Sequence, residues 1–189
     1  MKVLAFAASS STKSINSKLA SYAARMLSSQ QEGIETEILD INDYELPLFS
    51  EDRETRLGKP ELAKAFLARI ANSDAVIISF AEHNGSYTAA YKNLFDWASR
   101  INPKVFQGKP MVLLATSPGP GGASSVLATA TASAPYFSGA VKATLSVPSF
   151  YENFDSERDQ ITSKEINEQL RAAVVSLLEN SAERLNQAG

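Results

Sequence analysis

The chain has 189 residues, of which 44% are hydrophobic and 21% are charged, as expected for a single globular domain of ordinary size. A formal net charge of −3 leaves no broad basic surface, so we expect no nucleic-acid partner. The absence of cysteine excludes disulfides, thiolate catalysis, cysteine-ligated zinc and iron–sulfur clusters.

The N-terminal segment "MKVLAFAASSS" begins like a signal peptide, but its apolar run soon ends at polar serines. A signal peptide needs an apolar run of about 7–15 residues. No other segment of the sequence is long and apolar enough to span a membrane. We therefore expect a cytoplasmic protein with no membrane partner.

Strands and helices alternate along the predicted chain. Five segments have the apolar composition of β-strands: residues 2–8, 35–41, 74–80, 110–117 and 141–148. The first, third and fourth are nearly continuous apolar runs, which is typical of parallel strands covered by helices on both faces. The segments between and after the strands show helical spacing of apolar residues: 14–30, 61–72, 87–101, 122–134 and 163–187.

This alternation predicts an α/β fold with a parallel sheet in a single domain covering residues 1–189. Pro60 is well placed at the start of the second helix, and "TSKE" (162–165) is a capping-box pattern at the start of the last. Two long connections, 42–60 and 149–162, have the length of lids or interface elements.

Polar and glycine-rich loops follow three of the predicted strands. They are "ASSSTKSIN" (8–16), "AEHNGS" (81–86) and "SPGPGG" (117–122). Ligands of open α/β sheets bind beyond the carboxyl ends of the strands. If these three strands are neighbours, a single cleft has access to all three loops.

The first of these loops is a candidate anion site. Its hydroxyls precede a predicted helix whose free N–H groups favour phosphate, and Asn16 adds an amide donor in the first turn. The loop is neither a GxGxxG dinucleotide fingerprint nor a GxxxxGK[ST] P-loop, which argues against tight NAD binding here and against NTP hydrolysis. The alternative is that its serines only cap the helix.

The loop after the third strand combines a turn signal with two titratable residues. Asn84 and Gly85 suit a tight turn with positive φ. Glu82 and His83 form an acid–base pair in one interpretation, and in the other His83 is a solvated or packing residue. This single histidine has no companions for a metal site, and the chain has no GxSxG elbow, so neither metal binding nor hydrolysis is favoured.

Aromatic residues follow in the next predicted helix. Tyr87 and Tyr91 have the spacing of core or interface residues. Phe95 and Trp97 either pack against the sheet or a partner, or stack on a flat ligand.

Together these segments resemble the NADPH-dependent FMN reductase family. The resemblance rests on "ASSSTKSIN", "EHNGSYTAAYKNLFDW" and "SPGPGG" in this order, with "LPLFSED" (46–52) as a further match, and it covers about residues 2–150. The second of these segments is the most specific. The resemblance implies a flavodoxin-like three-layer sandwich, with a five-stranded parallel sheet in the order 2-1-3-4-5 and helices on both faces.

The resemblance also implies a set of FMN contacts and no catalytic protein residue or metal ion. The phosphate would be surrounded by Ser9, Ser11, Ser14, Ile15 and Asn16. The isoalloxazine and ribityl chain would lie along Glu82, His83, Asn84 and Gly85, with Ser117 and Gly119 on the other side.

The sequence departs from the family pattern at several positions of this site. Ala8 replaces the usual Gly, and Ser11 replaces the usual Arg, which removes a cationic phosphate contact. Ala81 and His83 replace the usual Pro and Tyr, which alters the surface beside the ring.

The activity implied by the resemblance is an NAD(P)H-dependent FMN oxidoreductase. Electrons from NADPH or NADH would pass through FMN to a small-molecule acceptor: free flavin, a quinone, an azo or nitro compound, or a metal oxyanion. A homodimer or homotetramer is also implied. The alternatives are a flavodoxin-like electron carrier, or a protein that keeps the fold but serves as an interaction subunit without reductase activity.

Overall fold

The computed structural model describes residues 1–179. Five parallel strands form the central sheet, in the spatial order β2-β1-β3-β6-β7, and four further strands form two short antiparallel hairpins. Their bounds are β1 (Lys2–Ala8), β2 (Glu35–Leu39), β3 (Ala75–Phe80), β4 (Glu82–His83), β5 (Ser86–Tyr87), β6 (Pro110–Thr116), β7 (Ala140–Val147), β8 (Phe154–Asp155) and β9 (Gln160–Ile161). Counted within the sheet, this is the predicted order 2-1-3-4-5, so the flavodoxin-like fold is confirmed.

Helices cover both faces of the sheet. They are α1 (Ile15–Ser28), α2 (Glu51–Leu57), α3 (Glu61–Ala71), α4 (Ala89–Ile101), α5 (Ser124–Ser133), α6 (Phe150–Asn153) and α7 (Lys164–Val175), with short 3₁₀ turns at Ile41–Tyr44 and Ala134–Phe137. One apolar core joins the sheet to α1 and α7, and a second joins it to α3, α4 and α5. These are the three layers that the resemblance implied.

The burial of the strands explains why their sequences differ. Every residue of β3 and β6 is buried, so both strands are continuous apolar runs. In the outer strands β2 and β7 only the last residue of each is buried, and both strands mix apolar with polar side chains. The sequence pattern thus distinguishes the centre of the sheet from its edges.

Two predicted loops contain regular structure. The 42–60 segment includes α2, which has no buried residue and therefore no apolar periodicity. The 149–162 segment includes α6 and the β8–β9 hairpin. The predicted 87–101 helix begins at Ala89 because Thr88 is its N-cap and Tyr87 pairs with Glu82 in the β4–β5 hairpin. The predicted last helix ends at Val175 in the structure, and residues 180–187 of that prediction lie outside the described residues.

The register of the central strands aligns their carboxyl ends. Ala8 of β1 lies beside Phe80 of β3, and Phe80 lies beside Ala115 of β6. The connections that follow these three strands therefore leave the sheet at one edge, and they are the three polar loops of the sequence analysis.

Candidate functional site

Direct hydrogen bonds join the loops at this edge. The Thr88 hydroxyl, which follows the β4–β5 hairpin, donates to the carbonyl of Ala8 at 3.0 Å. The backbone N–H groups of Ser149 and Phe150 donate to the carbonyls of Gly119 and Ser117, respectively, at 2.9 and 3.0 Å. The site is therefore built from three loops held against one another, with the segment after β7 attached to the third.

The serine loop, residues 9–14, folds into consecutive turns in which side-chain oxygens accept backbone N–H groups. Ser9 Oγ accepts from Ser11 N at 3.3 Å, Ser11 Oγ from Lys13 N at 3.2 Å, and Ser14 Oγ from Ser17 N at 3.2 Å. Ser14 is thus the N-cap of α1, as the alternative interpretation expected. Because each hydroxyl serves as an acceptor, its own proton remains available to a ligand.

Backbone donors lie beside these hydroxyls at the start of α1. Ser14 N donates to Ser11 O, and Ser17 N donates to the Ser14 side chain. Within residues 1–179, the N–H groups of Ile15 and Asn16 have no such partner. These free donors, the positive end of the helix dipole and the three hydroxyls make the loop suitable for an anion.

The Asn16 side chain lies between two strands of the sheet. Its Oδ1 accepts from the Ser79 hydroxyl at 2.7 Å and from Thr116 N at 3.1 Å, and its Nδ2 donates to Thr116 O at 3.1 Å. All three residues are at most 2% exposed. Asn16 therefore links α1 to β3 and β6. Two hydrogen-bond donors of Asn16 remain for a ligand: its backbone N–H and the second hydrogen of Nδ2.

The second loop is the β4–β5 hairpin. Asn84 and Gly85 occupy its two central positions with φ values of 53° and 75°, as a type I′ turn requires. Glycine relieves the steric strain of the left-handed conformation at the second position, and asparagine tolerates it at the first. The predicted tight turn is confirmed, and it places exposed backbone at the tip of the hairpin.

Glu82 and His83 point to opposite sides of this hairpin, as successive strand residues do. Glu82 Oε2 accepts from Val126 N at 2.8 Å, so this carboxylate caps the first turn of α5. The N-cap position of that helix, Ala123, has no side chain able to accept a hydrogen bond. His83 is exposed, and across residues 1–179 its ring makes no hydrogen bond or ion pair. Within residues 1–179 the two side chains form no hydrogen-bonded acid–base pair with each other.

The third loop, residues 117–122, combines an open glycine with a tightly packed one. A Cβ atom at Gly119 would meet nothing within 4 Å, whereas one at Gly122 would lie 2.3 Å from Ser146 Oγ and 3.1 Å from Pro148 N. Gly122 also has φ +57° and is therefore required by the fold. Gly119 leaves the backbone accessible at the rim of the site, as a flat ligand needs.

The aromatic residues of α4 pack inside the protein. Trp97 is 0% exposed, donates from Nε1 to the carbonyl of Pro47 at 2.7 Å, and contacts the ring of Phe49 edge-on. Tyr91 is 3% exposed, and its burial raises its pKa. Both residues belong to the core, so a stacking role for Trp97 is excluded.

Comparison of the sequence with protein families supports the resemblance. The profile of the NADPH-dependent FMN reductase family matches residues 1–151. The chain belongs to this family.

Curated relatives resemble part of the chain. A NADPH:quinone oxidoreductase from Arabidopsis thaliana is 37% identical over 93 residues, which is 49% of this chain and 46% of that protein. An NAD(P)H-dependent FMN reductase from Pseudomonas aeruginosa is 37% identical over 87 residues, 46% of this chain and 45% of that protein. The matched part of the chain thus spans about half the length of these relatives.

Solved structures extend the likeness to nearly the whole chain. FerB, a flavoenzyme NAD(P)H:(acceptor) oxidoreductase from Paracoccus denitrificans, has a TM-score of 0.71 and 27% identity, with 94% of this chain and 95% of that chain covered. The azoreductase AzrA has a TM-score of 0.63 at 16% identity, with 94% of this chain and 99% of that chain covered, and it supports the fold alone.

Several structural residues of this FMN reductase family member were not found from the sequence. Ser79, Thr116 and Thr88 hold the loops in place, and their partners are distant in the chain, so no local pattern indicates them. Lys13 is the one cationic residue of the 9–16 segment, and its charge among hydroxyls was a signal that the prediction did not use.

Neither a metal site nor a membrane-spanning helix is found in the described part of the chain. Residues 1–179 contain no group of three or more His, Asp or Glu side chains placed to hold a metal ion. The helices of this part are all too short or too polar to cross a lipid bilayer.

Proposed function

We propose that this protein is an NAD(P)H-dependent FMN reductase that passes electrons to a small-molecule acceptor, with a quinone or free flavin as the first acceptors to test. The observation that carries the proposal is the cluster of unused hydrogen-bond donors at the start of α1. It faces the same sheet edge as the Asn84–Gly85 turn and the open Gly119. Family membership and the quinone reductases among the relatives support it.

The residues of the site fit FMN. A phosphate group would accept hydrogen bonds from two kinds of donor here. They are the hydroxyl protons of Ser9, Ser11 and Ser14 and the N–H groups of Ile15 and Asn16. At the exposed Asn84–Gly85 turn and at Gly119 the backbone is open, which suits the close approach of a flat ring system.

When bound, FMN would accept a hydride from the reduced nicotinamide and release electrons to the acceptor. The protein's own residues bind and orient. Asn16 fixes the start of α1 to the sheet, and Glu82 fixes the hairpin to α5, so donors from both loops are held in place before a ligand arrives. His83 is exposed beside the turn, where the family usually has Tyr, and we propose that it alters the choice of acceptor.

The loss of the family arginine at position 11 predicts weak FMN binding rather than none. Lys13 keeps one positive charge in the loop, and the hydroxyl and N–H donors remain. A phosphate held without a guanidinium loses about 1.5–3 kcal/mol of charge-assisted hydrogen bonding.

The test is an absorbance titration of the purified protein with FMN, followed by NADPH in the absence of oxygen. Saturable binding, then bleaching near 450 nm much faster than that of free FMN with NADPH, is the expected result. Bound FMN that neither NADPH nor NADH reduces would favour an electron carrier. An absence of binding at micromolar protein would contradict the reductase proposal and leave an interaction subunit.

We further propose that the protein acts as a homodimer. Leu48 and Leu57 are 68% and 50% exposed, and both belong to the segment that packs on α4 through Trp97 and the Arg100–Glu54 ion pair. Exposed leucines in one segment favour contact with a second copy. Light scattering after size exclusion tests this: Leu48→Glu should shift the mass towards the monomer, whereas Leu62→Glu, at another exposed leucine on α3, should not.

We also propose a cytoplasmic location, because a reaction that consumes NAD(P)H requires a compartment that contains this donor. Cell fractionation would test it.

A further inference from the structure

One cavity of the structure shares no lining residue with the predicted FMN contacts. It has a volume of 230 Å³ and opens between α4 and α5 on the face of the sheet that these helices cover. Six of its thirteen lining residues are aromatic: Phe80, Tyr87, Tyr91, Phe95, Phe106 and Phe137. None of the eleven predicted FMN contacts lines it. We call it the aromatic cavity.

Its size and lining suit one aromatic ring. An apolar cavity of roughly 150 Å³ stays dry and accommodates benzene, so 230 Å³ leaves room for a ring with a substituent. The rings of Phe95 and Phe137 meet edge-on at 4.7 Å, and those of Phe80 and Tyr91 at 5.5 Å. A guest ring would therefore meet both ring edges and ring faces, the contacts that aromatic pairs prefer.

The hydroxyls of Tyr87 and Ser133 determine which substituent the guest ring needs. The Ser133 hydroxyl donates to the carbonyl of Ala130 at 3.2 Å, so its proton is already engaged. Either hydroxyl is able to donate across the 3.1 Å Tyr87–Ser133 pair, and donation by Tyr87 is the arrangement that engages both protons, with Ser133 donating to Ala130. Both residues line the cavity, and in this arrangement their hydroxyl oxygens have only acceptor capacity left. Burial raises the pKa of Tyr87, which keeps this hydroxyl protonated and the pair intact at neutral pH.

The rim of the cavity disfavours a charged ligand. Lys92 Nζ lies 2.6 and 2.8 Å from the two carboxylate oxygens of Asp96, one turn further along α4. Each charge is neutralised by the other, so neither attracts an ionic group strongly. The ligand that fits is neutral.

We propose that the aromatic cavity is a binding site for small neutral phenols, with the phenol O–H donating to the oxygen of Tyr87. This site shares no residue with the proposed FMN site, and the proposal does not rest on FMN binding. A phenol meets both requirements: the ring fills the apolar volume, and the hydroxyl supplies the donor that Tyr87 and Ser133 lack. An ether or a ketone of equal size supplies only an acceptor.

The test compares phenol with anisole and toluene by calorimetric titration of the full chain, with and without saturating FMN. We expect phenol to bind about 2- to 10-fold more tightly than either analogue, the range of one hydrogen bond. The substitution Tyr87→Phe should weaken phenol binding and leave toluene binding unchanged. Ala130→Leu, which places three more carbons in the cavity, should abolish binding of all three, whereas Ala128→Leu on the exposed side of α5 should not.

Thermal unfolding gives an independent readout. Phenol should raise the unfolding midpoint of the wild type and of Ala128→Leu but not that of Ala130→Leu, because only a filled site stabilises the fold by mass action. The proposal is overturned by any of four results: no phenol binding at millimolar concentration, equal binding of phenol and anisole, displacement of phenol by FMN, or undiminished binding to Ala130→Leu. Phenol binding that weakens as protein concentration rises would also overturn it, since a second copy would then occupy the cavity.

Discussion

Restoring the family arginine at position 11 is the sharpest test of the proposed phosphate site. Ser11 is exposed in the serine loop, its Oγ accepts from Lys13 N at 3.2 Å, and its carbonyl accepts from Ser14 N at 3.1 Å. The substitution Ser11→Arg removes the first of these bonds and keeps the second, which involves only backbone atoms. A guanidinium at this position lies beside the free N–H groups at the start of α1, where we place the phosphate of FMN.

The magnitude follows from these contacts. Hydrogen bonds from a guanidinium to a phosphate contribute about 1.5–3 kcal/mol. Loss of the exposed Lys13 N–Ser11 Oγ bond costs the loop about 0.5–1 kcal/mol, and solvent screening at an exposed position reduces the gain further. A net gain of about 1–2 kcal/mol corresponds to FMN binding roughly 5- to 30-fold more tightly.

The assay is quenching of flavin fluorescence by protein, measured with FMN and with riboflavin, which lacks the phosphate. Ser11→Arg should tighten FMN and leave riboflavin unchanged. The control is Thr12→Arg, the adjacent exposed residue, which makes the same change in net charge and should alter either affinity less than about 2-fold. Equal tightening of riboflavin, or no change with FMN, would refute the placement of the phosphate at the serine loop.

Three further predictions concern stability. Asn16→Ala leaves the buried groups of Ser79 and Thr116 without a partner and should lower the free energy of unfolding by about 3 kcal/mol in urea titrations. Its control, Asn42→Ala at an exposed position, should change that free energy by less than about 0.5 kcal/mol. Gly122→Ala, with a positive φ and a Cβ 2.3 Å from Ser146 Oγ, should lose about 2–4 kcal/mol, whereas Gly121→Ala, which meets nothing within 4 Å, should be neutral or slightly stabilising. Hydrogen bonds from the backbone N–H groups of Arg158 and Glu157 lower the pKa of the Asp155 carboxyl in the folded protein. The ionised carboxyl therefore stabilises the fold fully above its unfolded pKa of about 4, and this stabilisation is lost as the pH falls through the lower folded pKa. Thermal melts from pH 7 to pH 2 should therefore show a shallower acid dependence in Asp155→Asn, and an unchanged one would contradict this account.

The parts of the fold that bury apolar surface were predictable from the sequence. Both β3 and β6 are fully buried, and their apolar runs indicated central parallel strands. In contrast, α2 buries no residue and is held by polar contacts such as the Arg100–Glu54 ion pair, so hydrophobic periodicity could not reveal it. A local signal did exist there: Ser50 precedes three acidic residues of the first turn, and Gly58 ends the helix.

The candidate site also contains one part that local sequence predicts and another that it does not. The Asn84–Gly85 turn follows from local sequence, since this dipeptide strongly favours a type I′ hairpin. The partners of Asn16 and Glu82 do not, because Thr116 is 100 residues from Asn16 and Val126 is 44 residues from Glu82. The family resemblance predicts that Asn16 and Glu82 belong to the site, and the three-dimensional arrangement shows that their side chains also join separate elements of the fold.

The attachment of the β4–β5 hairpin at both ends has a kinetic consequence. Glu82 secures its first strand to α5, and Thr88, directly after its second strand, secures the chain to β1. Because both anchors are bonds within the protein, this side of the cleft pays no ordering entropy when a ligand enters. Encounter and orientation then govern how fast a flavin associates, and its residence time depends on how many contacts must break. If the cleft binds flavin as proposed, this wall does not have to order around the ligand, and its preorganisation would favour retention of the flavin.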